Sequence, residues 1–174
     1  MKKINITEIT ITALCIAFGV ALPQIFLREP ELGQVFLPMH LSVLLCGLLV
    51  SWKWSALCGI STPLICSLIF GRPVLFPVAA AMCFELLTYG VISSLLYKKT
   101  NIYISLIGAM FAGRLVNGVV NIIIFAIQGV PYTFKIFITT SFVKGIAGVI
   151  IQLIIIPIIV LTLQKAKVVN KRNG

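Results

Sequence analysis

Arg114, Asn117 and Asn121 follow one another at i, i+3 and i+7 in an otherwise apolar run, and Gln128 closes the series at i+14. At about 100° per residue they fall on one helical stripe about 60° wide. A guanidinium beside carboxamides is a donor-rich set that suits a carboxylate. A second apolar run carries Ser141, Lys144, Gly148 and Gln152, a stripe about 80° wide. A third places Glu85 beside Thr88 and Tyr89, and His40, the only histidine, opens a fourth. A charge at mid-bilayer costs about 2.5–3.5 kcal/mol on insertion scales. Such stripes must therefore face one another or a wet cavity. Glu85 neutralises one of the two cations, Arg114 or Lys144, and a bound carboxylate would balance the other. The alternative is a structural Arg114–Glu85 pair that locks helices while Lys144 snorkels outward. His40 either lines the same hollow or caps a helix start. Tyr89 either packs or touches the ligand.

The elements that must hold these groups follow from composition. The chain has 174 residues, 60% of them hydrophobic, and a mean hydropathy of +1.13. A soluble domain is about 45–50% apolar. Apolar runs recur without strand-like alternation, so the expectation is an all-α integral membrane protein, a bundle of six transmembrane helices forming a single domain over residues 1–174. The spans are expected near Ile6–Phe26, Pro38–Val50, Trp54–Phe70 (broken near Pro63), Leu75–Tyr97, Ile102–Gln128 and Ile136–Leu163. The second is short and borrows Trp52 and Trp54 as an interfacial anchor. The first has the basic tip of a signal peptide, but its apolar part is long for one, and it is kept as a span.

The net charge is +10. Nine of the 14 basic residues lie in alternate loops and at the two ends: Lys2, Lys3, Lys53, Lys98, Lys99, Lys165, Lys167, Lys171 and Arg172. Arg28, Arg72 and Lys135 lie in the other loops. This is the positive-inside pattern of a multi-pass plasma-membrane protein with both termini cytoplasmic, and it replaces nucleic acid as the meaning of the charge. In that orientation the polar groups converge on the outer half of the bundle, as a cup open to the exterior above mostly apolar inner halves.

The five cysteines, Cys15, Cys46, Cys58, Cys66 and Cys83, sit in apolar runs as small buried hydrophobes. With one histidine, no metal site can be assembled. The chain contains no aspartate, no Walker A loop, no H-E-x-x-H and no G-x-S-x-G. Neither an enzyme nor a resident cofactor is expected. Ala13, Ala17 and Ala21 make a smooth small-residue stripe, either an internal packing seam or a face for a partner helix. Gly108, Ala112, Gly113 and Gly118 are expected to pack internally.

The order LPMH (37–40), TPL (62–64), GRP (71–73) and ELLTYG (85–90), with the size and basic ends, resembles the S components of energy-coupling-factor (ECF) vitamin transporters. The resemblance implies capture of a small water-soluble vitamin in an outward cup. It also implies association with a membrane scaffold (T component) and two cytoplasmic ATPases, which use the ATP. It implies further that the alanine face of the first helix meets the scaffold and that the loop Arg28–Phe36 lids the site. The substrate contacts would be His40, Glu85, Tyr89, Arg114, Asn117, Asn121, Lys144 and Gln152. The surplus positive charge favours an acid, and LPMH with ELxTYG resembles the pantothenate subgroup. The rival readings are a stand-alone ion-coupled secondary transporter, which would use Glu85, and a membrane enzyme or assembly factor.

Overall fold

Apolar chain in oil can satisfy its backbone by coiling on itself, and the computed structural model shows six α-helices among the residues it describes, 6–26, 33, 35–129 and 145–166. They are α1 (Ile6–Ala21), α2 (Pro38–Leu49), α3 (Trp52–Phe70), α4 (Ala80–Tyr97), α5 (Ile102–Ile127) and α6 (Ile146–Lys165). A 3-10 turn, Leu22–Phe26, extends α1, and a wider turn, Leu75–Ala79, leads into α4. The Asn101 side chain caps α5 by accepting the Ile104 N–H at 2.9 Å. α3 ends at Gly71, whose φ of 68° is a left-handed conformation that glycine adopts without strain.

Among the described residues, five segments are long and apolar enough to cross a membrane: Ile6–Ile25, Trp52–Phe70, Leu75–Tyr97, Ile102–Ile127 and Ile146–Lys165. This corrects the expectation of six transmembrane helices. The twelve residues of α2 reach about 18 Å, against a hydrocarbon layer of roughly 30 Å. Every residue from Met39 to Leu49 is buried. α2 is therefore an internal post, walled by α1, α3, α4 and α6, and it does not itself span.

Two smaller corrections follow. α3 passes through Pro63 as one helix instead of breaking there, and the neighbouring Thr62 hydroxyl donates back to the Cys58 carbonyl at 2.8 Å. α6 is described from Ile146 and ends at Lys165; the expected start at Ile136 lies outside the described residues.

Three bonds define one end of the bundle. The Ser51 hydroxyl donates to Glu8 Oε2 at 2.6 Å, Ser94 to the Val50 carbonyl at 3.0 Å, and Gln164 to the Tyr97 hydroxyl at 2.8 Å. The start of α1, the end of α2, the start of α3 and the ends of α4 and α6 thus share a level. Lys53, Lys98, Lys99 and Lys165 are exposed there; Arg72 lies at the opposite end of α3. Because α1 leaves this basic end and α2 returns to it, the chain keeps the alternation that the charges require although α2 is short.

Close helix contacts rest on small residues. A Cβ at Gly59 of α3 would lie 2.5 Å from the Leu86 carbonyl oxygen of α4, and one at Gly90 of α4 would lie 2.6 Å from the Ser55 carbonyl oxygen of α3. Of the four small residues of α5 expected to pack internally, Gly113 and Gly118 are buried and Gly108 and Ala112 are half-buried. All five cysteines are free; four are buried and Cys83 is half-buried. In α1, Thr12, Cys15 and Gly19 face inward, while Ala13, Ala17 and Ala21 are exposed. Among the described residues the alanine stripe forms no internal seam.

Candidate functional site

Glu85 is the one buried acid and Arg114 the one buried arginine or lysine among the described residues. Glu85 sits in the first half of α4, with Tyr89 one turn below it. The Tyr89 hydroxyl donates to Glu85 Oε1 at 2.9 Å, and from α5 the Asn117 carboxamide donates to Oε2 at 2.9 Å. Asn117 is held in turn: the Asn121 amide donates to its Oδ1 at 2.7 Å and to its carbonyl at 2.9 Å. From α2, His40 Nε2 lies 3.5 Å from Glu85 Oε1, and its ring meets the Tyr89 ring edge-on at 5.4 Å. Three helices thus converge on one carboxylate.

The Arg114 guanidinium acts electrostatically on both Glu85 and the Tyr89 hydroxyl. It sits one turn before Asn117 on α5 and is itself buried. Gly113 lets α5 come close to α4 here, since a Cβ there would run into the Tyr89 ring. The desolvation cost of one buried carboxylate is met by an arginine, two hydrogen-bond donors and the nearby imidazole, as buried charge requires. Among the described residues this balances one anion against one cation.

A second contact set seats the start of α2. Leu37 has a φ of 50°, unusual for a branched side chain, and Pro38 begins the helix that follows. The Gln152 amide of α6 donates to the Leu37 carbonyl at 3.2 Å. The turn before α2 lies on glycine: a Cβ at Gly148 would fall 2.5 Å from the Val35 carbonyl oxygen, and one at Gly145 would fall 3.0 Å from the Leu37 side chain. Gln152 is fully buried. Its bond thus reaches the turn three residues before His40.

Depth follows from helix rise. Glu85 stands twelve residues from Tyr97, where α4 ends, about 18 Å from the basic end, and Asn117 fifteen residues from Ile102, about 22 Å. The network therefore lies from the middle of a roughly 30 Å layer outward. Below it, Ser93, Ser94 and Ser105 are buried, more polar than the apolar inner half expected. Their hydroxyls are satisfied by backbone carbonyls at 2.6–3.0 Å.

Of the candidate residues, His40, Glu85, Tyr89, Asn117 and Asn121 meet in one network and Arg114 stands beside it. Gln152 joins it only through the Leu37 turn. Gln128 is exposed at the end of α5. Lys144 and Ser141 lie outside the described residues, as do 28–32 and 34 of the expected lid. The sequence did not single out Gly145, and it offered Leu37 only as the first residue of LPMH; the local signal there was Pro38, a residue that suits a first helical turn.

A family model described as "ECF transporter, substrate-specific component" matches residues 7–160. Comparisons with curated proteins and with solved structures returned no match.

Proposed function

The chain belongs to the family of ECF transporter substrate-specific components, and from that premise we propose that it captures a small water-soluble vitamin at the network around Glu85. Such components are membrane-embedded and non-catalytic, and they act with a membrane scaffold and ATP-using partners. The proposed partners here are a T component and two cytoplasmic ATPases, with cargo entering from the end opposite Lys53, Lys98, Lys99 and Lys165.

One observation carries this reading: side chains of α2, α4 and α5 converge on a single buried carboxylate in the middle of the layer. An intramembrane cluster of this kind is costly and is the default place to look for a substrate path. Glu85 organises the site, since both of its oxygens already accept hydrogen bonds. Arg114 offers the planar donor fork for an acid. With Glu85 set against Arg114, the surplus cation of the anion-binding reading is Lys144. An anionic vitamin such as pantothenate is the substrate proposed.

The test is a thermal-shift screen of the purified protein against water-soluble vitamins. A ligand present at about 100 times its dissociation constant adds about 2.7 kcal/mol. A shift with pantothenate supports the reading. Shifts only with neutral or cationic vitamins remove the anionic assignment, and uptake by vesicles lacking any ATPase would replace it with ion-coupled transport.

A further inference from the structure

His40 is 5% exposed, and its Nδ1 is closed off from solvent with no hydrogen-bond partner. The other ring nitrogen, Nε2, is the one beside Glu85 Oε1. A carboxylate oxygen repels a lone pair and attracts a proton, so the neutral imidazole carries its proton on Nε2. Nδ1 is then a bare acceptor. A buried acceptor without a donor is costly, and native structures rarely keep one without a use. The neighbours named above do not supply that donor: Tyr89 and Asn117 donate to Glu85, Asn121 to Asn117, and Gln152 to Leu37.

We propose that His40 Nδ1 is a specificity-determining acceptor for an O–H or N–H group of the substrate, so that the site selects vitamins that carry such a donor as well as an acid. This rests on the reading that the network around Glu85 is the substrate seat. The division of labour is chemical. Arg114 can only donate, and so recognises the acidic end. His40 can accept, and so recognises a hydroxyl or amide hydrogen. A carboxylate with no such donor, for example nicotinate at neutral pH, satisfies the first group and leaves the second orphaned. Pantothenate carries both kinds of group.

Because His40 is the only histidine in the chain, untagged protein labelled with 15N-histidine reports its two ring nitrogens alone. In the free protein at neutral pH, the expected spectrum shows Nε2 protonated and Nδ1 bare. Saturating pantothenate should move the Nδ1 resonance more than that of Nε2. A proton on Nδ1 in the free protein would overturn the assignment. Pantothenate should also bind at least tenfold more tightly than nicotinate, the scale of one buried hydrogen bond. Two variants separate the ring nitrogens: His40→Asn keeps an acceptor near the place of Nδ1, whereas His40→Gln keeps a donor near that of Nε2. The selectivity for pantothenate should survive in H40N and collapse in H40Q; the reverse order speaks against the proposal. If pantothenate raises the melting temperature but leaves Nδ1 unmoved, this inference fails and the receptor reading stands. If no vitamin raises it, both fail.

Discussion

Asn117 of α5 donates to Glu85 Oε2 across 2.9 Å, although the two residues are 32 positions apart. The bond fixes the register of α5 against α4 at the depth where the site lies. It also leaves Asn117 Oδ1 facing Asn121, so the α5 stripe acts as a relay that holds one carboxylate.

Removing that carboxylate should therefore cost more than removing one of its donors. Glu85→Ala leaves Arg114 buried without its counter-charge and should lower stability by about 3–5 kcal/mol. Asn117→Ala should cost about 1–3 kcal/mol, since the carboxylate retains Tyr89. Melting curves in detergent, taken without ligand, rank the two. Equal losses would show that Glu85 is not the hub.

Arg114 and Lys144 differ in what they offer an acid. Arg114→Ala and Lys144→Ala should each weaken pantothenate binding by about 1–3 kcal/mol, the scale of charged hydrogen bonds. Arg114→Lys should recover part of the loss, because the charge returns without the planar fork. Calorimetry measures all three, and unchanged affinity in both alanine variants would dissociate these cations from the site.

The α3–α4 seam is set by backbone and not by side chains. At Gly59 an added Cβ meets the Leu86 carbonyl at 2.5 Å, and backbone cannot turn aside. Gly59→Ala should destabilise the fold by about 1–3 kcal/mol through overpacking. Gly108→Ala should be milder, because the atom it meets is the far end of the Leu96 side chain. Thermal denaturation of the two variants checks the order.

Ala17 is exposed on the same face as Ala13 and Ala21, with Phe18 and Leu14 also exposed beside it. Ala17→Trp should leave vitamin binding by the isolated chain intact while reducing uptake in cells that hold the scaffold and ATPases. Undiminished uptake would mean that this face meets only lipid.

The orientation is open to direct measurement. In a Cys83→Ser background, a cysteine placed at Lys99 should react with an impermeant maleimide only after the membrane is opened. One placed at Arg72 should react from outside intact cells. The opposite pattern would invert the proposed direction of entry.

Much of this was written in periodicity. Polar residues at helical spacing in oil had to share a face, so the Arg114–Asn117–Asn121 stripe was legible before any contact was known. Glu85 was legible as its partner because the chain holds so few acids. What periodicity could not show was that Gln152, on the same kind of stripe, bonds a backbone carbonyl. Such a bond depends on the left-handed turn at Leu37, a conformation that a leucine does not advertise. The depth of α2 was misread for a related reason. A short apolar run reads as a span or as a buried core helix with the same residues, and only its surroundings decide.

That buried post bears on how the chain enters its membrane. Met39–Leu49 is buried within the bundle, and Pro38–Leu49 is too short to leave a translocation channel alone as a stable span. One turn at Val50 and Ser51 joins it to α3, and α1, α4 and α6 complete its wall. During synthesis it must wait for these neighbours, so assembly of this protein is a folding event inside the bilayer and not a simple sequence of independent insertions.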